Sequence, residues 1–107
     1  MVEIAYRLIW SRPAQKELKT IALYYKKEVS LRVAQSIIEA IQAEARRLIH
    51  MPFIGQIEPS LADDPHEYRY LISGHYKIVY HINKDKIRIN NIFDCRQAPD
   101  KLKQAIR

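Results

Sequence analysis

The side chains in this chain that could carry chemistry are four histidines, one cysteine, seven tyrosines and a surplus of arginine and lysine. None of them falls into a spacing that defines a reactive centre. His50, His66, His75 and His81 include no pair at metal-ligand spacing, and neither a Ser–His–Asp order nor a glycine-rich phosphate loop occurs. His75 stands beside Gly74 and reads as a solvated hairpin residue, while His66 lies in a loop. His50 falls just before Pro52, where a helix would end and a cation would meet its last carbonyls. His81 shares a side with Lys77 by two-residue periodicity, which makes it the one titratable candidate on a basic strand face. Cys95, being alone, excludes an internal disulfide and a multi-cysteine zinc site. With no histidine near it in sequence, it reads as a small buried residue rather than a nucleophile. The tyrosines could stack on nucleic-acid bases, but Tyr6, Tyr25, Tyr76 and Tyr80 fall on apolar stripes and read as core.

Charge is the more telling signal. Eighteen Lys and Arg against twelve Asp and Glu leave the chain at +6. Such an excess favours encounter with a polyanion, either nucleic acid or an acidic protein segment, without selecting between them. A length of 107 residues predicts a single domain over 1–107. The 48% hydrophobic share suits a packed core. Apolar runs extend only a few residues, against the roughly 20 that span a bilayer. Residues 1–10 include Glu3 and Arg7 and lack the continuous apolar stretch of a signal peptide. The expectation is a cytoplasmic protein with no membrane partner and no call for a metal or cofactor.

Periodicity supplies the elements. From Ile4 to Trp10 the polarity alternates, with Tyr6, Leu8 and Trp10 on one face, which predicts a strand. Ser11 is placed as a helix cap and Pro13 in the first turn. Ala14, Leu18, Ile21, Ala22, Tyr25 and Val29 then mark one amphipathic helix. Ser30 caps a second, whose stripe runs through Val33, Ile37, Ile38, Ile41, Ala45 and Leu48 until Pro52. So short a break between long helices implies an antiparallel hairpin. Residues 51–67 read as a loop. Tyr68 to Ile72, Tyr76 to Ile82 and Lys86 to Phe93 read as three hairpin-linked strands, with Ile87, Ile89 and Phe93 on the core side of the last. Pro99 opens a short terminal helix around Leu102 and Ile106. The fold expected is α+β, in the order β–α–α–β–β–β. Its helical hairpin should pack on one face of a mostly antiparallel sheet, because every apolar stripe needs burial.

This order, with certain residues at certain places, resembles the RelE/ParE superfamily of toxins from type II toxin–antitoxin systems. The likeness is carried by Tyr6-Arg7-Leu8-Ile9-Trp10-Ser11 running into Ala14 and Leu18, and by Met51-Pro52-Phe53-Ile54-Gly55. It continues through Tyr68-Arg69-Tyr70-Leu71, Gly74-His75-Tyr76-Lys77-Ile78-Val79-Tyr80 and Phe93-Asp94-Cys95-Arg96-Gln97, and so spans nearly the whole chain. The resemblance implies a helical hairpin against a curved sheet and a toxin held inactive by a cognate antitoxin encoded beside it. Operator DNA would be contacted only through that antitoxin.

Within the superfamily, RelE-like members cleave messenger RNA on the ribosome and ParE-like members poison DNA gyrase; a shared fold does not choose between them. Arg69 and Arg96 match positions where the ribonuclease branch holds phosphate. Each has a structural reading beside it: Arg69 pairing with Glu67, and Arg96 capping the terminal helix through Asp94 or Asp100. The ribonuclease branch also carries a tyrosine or histidine acid in its tail. The corresponding stretch here, Pro99 to Lys103, holds neither. His75 and His81 are then the remaining groups able to move a proton, with His81 on the basic strand face. Leu23 and Tyr24 sit off the helical stripe and, with Lys26 and Lys27, are the expected antitoxin contact. The reading favoured is a ParE-like gyrase poison acting by binding. Alternatives are a RelE-like, metal-independent endoribonuclease and a non-toxic basic module for nucleic acid or protein.

Overall fold

A computed structural model of the chain describes residues 5–96. Strand β1 (Arg7–Trp10) runs into helix α1 (Arg12–Glu28), and α2 (Leu31–Arg47) follows after two residues. Both caps form as their chemistry dictates: Ser11 Oγ accepts from the Ala14 N–H at 3.2 Å, and Ser30 Oγ from the Val33 N–H at 3.1 Å. A two-residue strand β2 (Gln56–Ile57) and a 3-10 turn (Pro59–Leu61) lead to β3 (Arg69–Ser73), β4 (Tyr76–Asn83) and β5 (Lys86–Asp94). Among the described residues these five strands form one sheet in the order β1-β5-β4-β3-β2. All neighbours are antiparallel except β1, which lies parallel to β5. The expected α+β architecture is present; the terminal helix predicted from Pro99 lies outside the described residues.

The helical hairpin covers one sheet face. Ala14 and Ile21 of α1, with Ile41 and Ala45 of α2 and Leu48 after it, meet Leu71, Tyr76, Ile78, Tyr80, Ile87, Ile89 and Ile92 of the sheet. Tyr6, Leu8 and Trp10 pack against the same core, as their alternation predicted. The opposite face is covered in part by the segment that reads as a loop in the sequence. Leu61 and Tyr68 pack on Val79 there, flanked by Tyr70 and Phe93. Glu58, only 1% exposed, pairs with Lys77. Residues 51–67 are therefore organised, and the reason is tertiary: Leu61 and Glu58 need the far face of the sheet to satisfy them.

A bulge in β5 corrects the phase assigned to its end. Tyr80 pairs with Ile89 but Val79 pairs with Asn91, leaving Asn90 without an opposite residue. The extra residue flips the alternation, so Ile92 rather than Phe93 joins Ile87 and Ile89 in the core, and Phe93 moves to the far face. The bulge is tied down from both sides. Ser11 Oγ donates to the Asn90 carbonyl at 2.8 Å, and His81 Nδ1 meets Asn90 Oδ1 at 2.8 Å. β1 pairs only with Lys86–Ile89, and beyond it the Ile92 N–H donates to the Glu17 carboxylate at 2.8 Å. Cys95 is a second correction, since it is exposed rather than buried. Partial desolvation still pushes its thiol above the ordinary value, which disfavours the reactive thiolate.

Candidate functional site

Arg69 opens β3, and its guanidinium is fully engaged. It contacts Glu67 Oε2 at 3.0 and 3.2 Å, donates to the Gly55 carbonyl at 2.9 Å and the Phe53 carbonyl at 3.3 Å, and lies over the Phe53 ring. The pairing with Glu67 weighed from the sequence is thus present, and two main-chain acceptors join it. Arg96 follows β5 and grips Asp94 through two bonds of 2.9 and 2.7 Å. That contact holds the Asp94 carboxyl below its usual range. The Arg96 side chain remains 56% exposed.

The sheet register keeps the two arginines apart. Arg69 pairs with Tyr80, whereas Asp94 pairs with Tyr76, four residues along β4. At roughly 3.3 Å per residue that offset alone is about 13 Å. His81 is nearer to Arg69: both line a shallow pocket of about 200 Å³ with Phe53, His66, Glu67 and Ile82. The His81 ring stacks on His66 at 4.9 Å. Burial pushes its pKa below the ordinary value, and His66 and Arg88 add to the shift against the opposing pull of Asn90 and Asp64.

This depression has a sign. Unfolded His81 takes up its proton near pH 6.5, before the folded imidazole does. The stability it contributes is present above that pH and is lost as pH falls towards the folded value. Glu17 acts oppositely, because burial raises its carboxyl above 4.5 and its contribution grows as pH falls towards that value. We expect the melting temperature to drop between about pH 7 and 5, and His81→Gln to flatten part of that drop. An identical pH profile in the variant would show that His81 is not responsible.

Leu23 and Tyr24 are 56% and 57% exposed, and Lys26 and Lys27 are exposed beside them. They straddle two grooves. Tyr24 lines one of about 480 Å³, with Ile21, Tyr76, Phe93 and Arg96 among its walls. Leu23 and Lys26 line the other, about 350 Å³, between α1 and α2 with Leu31, Ala34 and Ile38. The exposed Leu31 on the second groove and Glu17 on the first were not singled out by sequence reasoning. A carboxylate beside the Ala14–Leu18–Ile21 stripe was the available signal for Glu17.

A helical hairpin laid on one face of such a sheet is a RelE/ParE-like fold. Residues 8–99 match the family model described as "ParE toxin of type II toxin-antitoxin system, parDE", and the chain belongs to that family. A solved structure described as "Chromosomal ParDE TA system from P. aeruginosa" superposes with a TM-score of 0.71 at 20% identity, over 84% of this chain and 96% of that one. No curated protein matches the chain in sequence. No helix among the described residues is long and apolar enough to cross a membrane.

Proposed function

We propose that this ParE-family chain acts in the cytoplasm, arrests growth by poisoning DNA gyrase, and is silenced by a cognate antitoxin that covers the Leu23, Tyr24, Lys26 and Lys27 face of α1. The observation that supports a binder over a nuclease is the separation of Arg69 from Arg96, each guanidinium already committed to a carboxylate. Metal-free RNA cleavage needs cations and an acid–base pair converging on one phosphate. The sequence from Gln97 to Arg107 offers no tyrosine or histidine to complete such a set. A gyrase poison needs no proton transfer. The RelE-like alternative draws its support from the pocket shared by Arg69, His81 and Glu67.

Expression of the chain should arrest growth, coexpression of its partner should relieve the arrest, and purified toxin should inhibit supercoiling while leaving translated messenger intact. Discrete messenger cuts abolished by Arg69→Ala or His81→Gln, with supercoiling unaffected, would reverse the choice. Arg96 stands exposed at the rim of the larger groove, where it can meet a target. Arg96→Ala should therefore weaken toxicity while stability changes by no more than about 0.5 kcal/mol. A growth assay beside a thermal melt tests this; an unfolded variant would mean that Arg96 is structural.

A further inference from the structure

The sheet face turned away from the helices carries a block of cations that the gyrase and antitoxin readings leave unused. Leu8 and Trp10 of β1 and Ile87 and Ile89 of β5 point to the core, so Arg7, Ile9, Lys86 and Arg88 point the other way. The register sets them in two rows. Arg7 lies beside Lys86, and Ile9 beside Arg88, whose other neighbour is His81. Alternate residues on a strand stand about 6.6 Å apart and neighbouring strands about 4.8 Å. Lys84, in the adjoining turn, adds a fourth cation and holds φ at 59°. A non-glycine residue in that left-handed region costs about 1–2 kcal/mol that glycine would avoid.

Arg7, Lys84, Lys86 and Arg88 are all exposed. None is in an ion pair among the described residues, whereas Arg47, Arg69, Lys77 and Arg96 each are. Among the described residues, Asp85 stands in the turn, and Asp64 accepts from the His66 N–H.

We propose that this end of the sheet binds duplex DNA through its phosphates, independently of sequence. Complementary charge is the first argument. The second is what the patch lacks: among the described residues Ile9, half-buried, is the apolar side chain between the cations, and His81 borders Arg88. Protein interfaces are anchored by apolar and aromatic side chains at their centre, and on this molecule exposed residues of that kind include Leu23, Tyr24 and Leu31 on the helical hairpin. Single strands are held by open rings that stack on unpaired bases, whereas His81, the ring beside Arg88, is already stacked on His66 and edge-on to Tyr68. A flat array of unpaired cations suits a ligand whose affinity comes from phosphate contacts. Because it reads no bases, this surface differs in kind from operator recognition, and it stands whether or not gyrase is the target.

The test is fluorescence anisotropy of the full-length chain with a labelled duplex of about 20 base pairs, titrated from about 50 to 200 mM salt. Four phosphate contacts give a slope of log affinity on log salt of about −3.6, and each contact removed lowers it by about 0.9. Arg88→Ala and Arg7→Ala should each flatten the slope by that amount. Arg7→Glu combined with Arg88→Glu should weaken binding at least about tenfold at the lowest salt, with circular dichroism unchanged. Lys19→Glu, a single charge reversal on exposed α1, is matched against Arg88→Glu alone and should weaken binding far less. The proposal is overturned if Lys19→Glu costs as much affinity as Arg88→Glu, or if the slopes do not move. It is equally overturned if polyglutamate or a single strand of the same length competes as well as the duplex.

Discussion

Gly55→Ala is expected to destabilise the protein by about 3 kcal/mol or more, a large share of the roughly 5–15 kcal/mol that holds a domain of this size together. A β-carbon at Gly55 would lie 2.5 Å from the Tyr80 hydroxyl oxygen, 2.7 Å from Tyr80 Cε1 and 2.8 Å from the Tyr70 carbonyl oxygen. Tyr80 cannot move aside, because its side chain is fully buried between the helices and the sheet. Its hydroxyl also bonds the loop twice, donating to the Pro52 carbonyl at 2.7 Å and accepting from the Gly55 N–H at 3.0 Å. Overpacking costs about 1–3 kcal/mol, and a displaced hydroxyl leaves buried backbone groups unpaired at about 1–3 kcal/mol each. Gly74 is the control. It holds φ at +58°, and a β-carbon there meets nothing within 4 Å, so Gly74→Ala should cost only the conformational penalty of about 1–2 kcal/mol. Urea denaturation of both variants decides the matter, and equal losses would sink the account. The same loop supplies the two carbonyls that hold Arg69.

Local chemistry made the helical half of this fold legible. Ser11 and Ser30 cap because a hydroxyl three residues before a free N–H is a property of the chain itself. Leu23, Tyr24, Lys26 and Lys27 emerge near one another because helical spacing is equally local. The sheet half depends on what a strand meets across space. Nothing in Arg88-Ile89-Asn90-Asn91-Ile92 announces a bulge, which exists because β4 and β5 slip by one residue between Val79 and Tyr80. Phe93 was misplaced for that reason alone. The parallel seat of β1 beside β5 was hidden likewise, since alternation gives a strand's faces and not its neighbours. Arg69 could be weighed between phosphate holder and partner of Glu67, but the Phe53 and Gly55 carbonyls lie 16 and 14 residues away. The separation of Arg69 from Arg96 follows from register, which only the assembled sheet supplies.

Leu23→Glu combined with Tyr24→Ala is expected to release the toxin from its antitoxin while leaving it folded and toxic. Both side chains are more than half exposed, so little packing is lost apart from the edge-on contact of Tyr24 with Tyr25 at 5.1 Å. They project beside different grooves, and a partner segment lying along α1 would fill both at once. Large side chains at the centre of an interface typically contribute about 2 kcal/mol or more each, and a buried glutamate adds an uncompensated charge. A combined loss of about 4 kcal/mol is nearly a thousandfold in Kd. Lys26 and Lys27 should behave differently. They lie in the last turn of α1 and would draw in an acidic segment, so Lys26→Glu with Lys27→Glu should mainly slow association, and more so at low salt. Binding kinetics with the purified partner separate the two effects, and a coexpression growth assay gives the biological readout. The double variant should arrest growth even when the antitoxin is present at levels that rescue the parent chain. Full rescue of that variant, with unchanged dissociation, would place the antitoxin on some other surface.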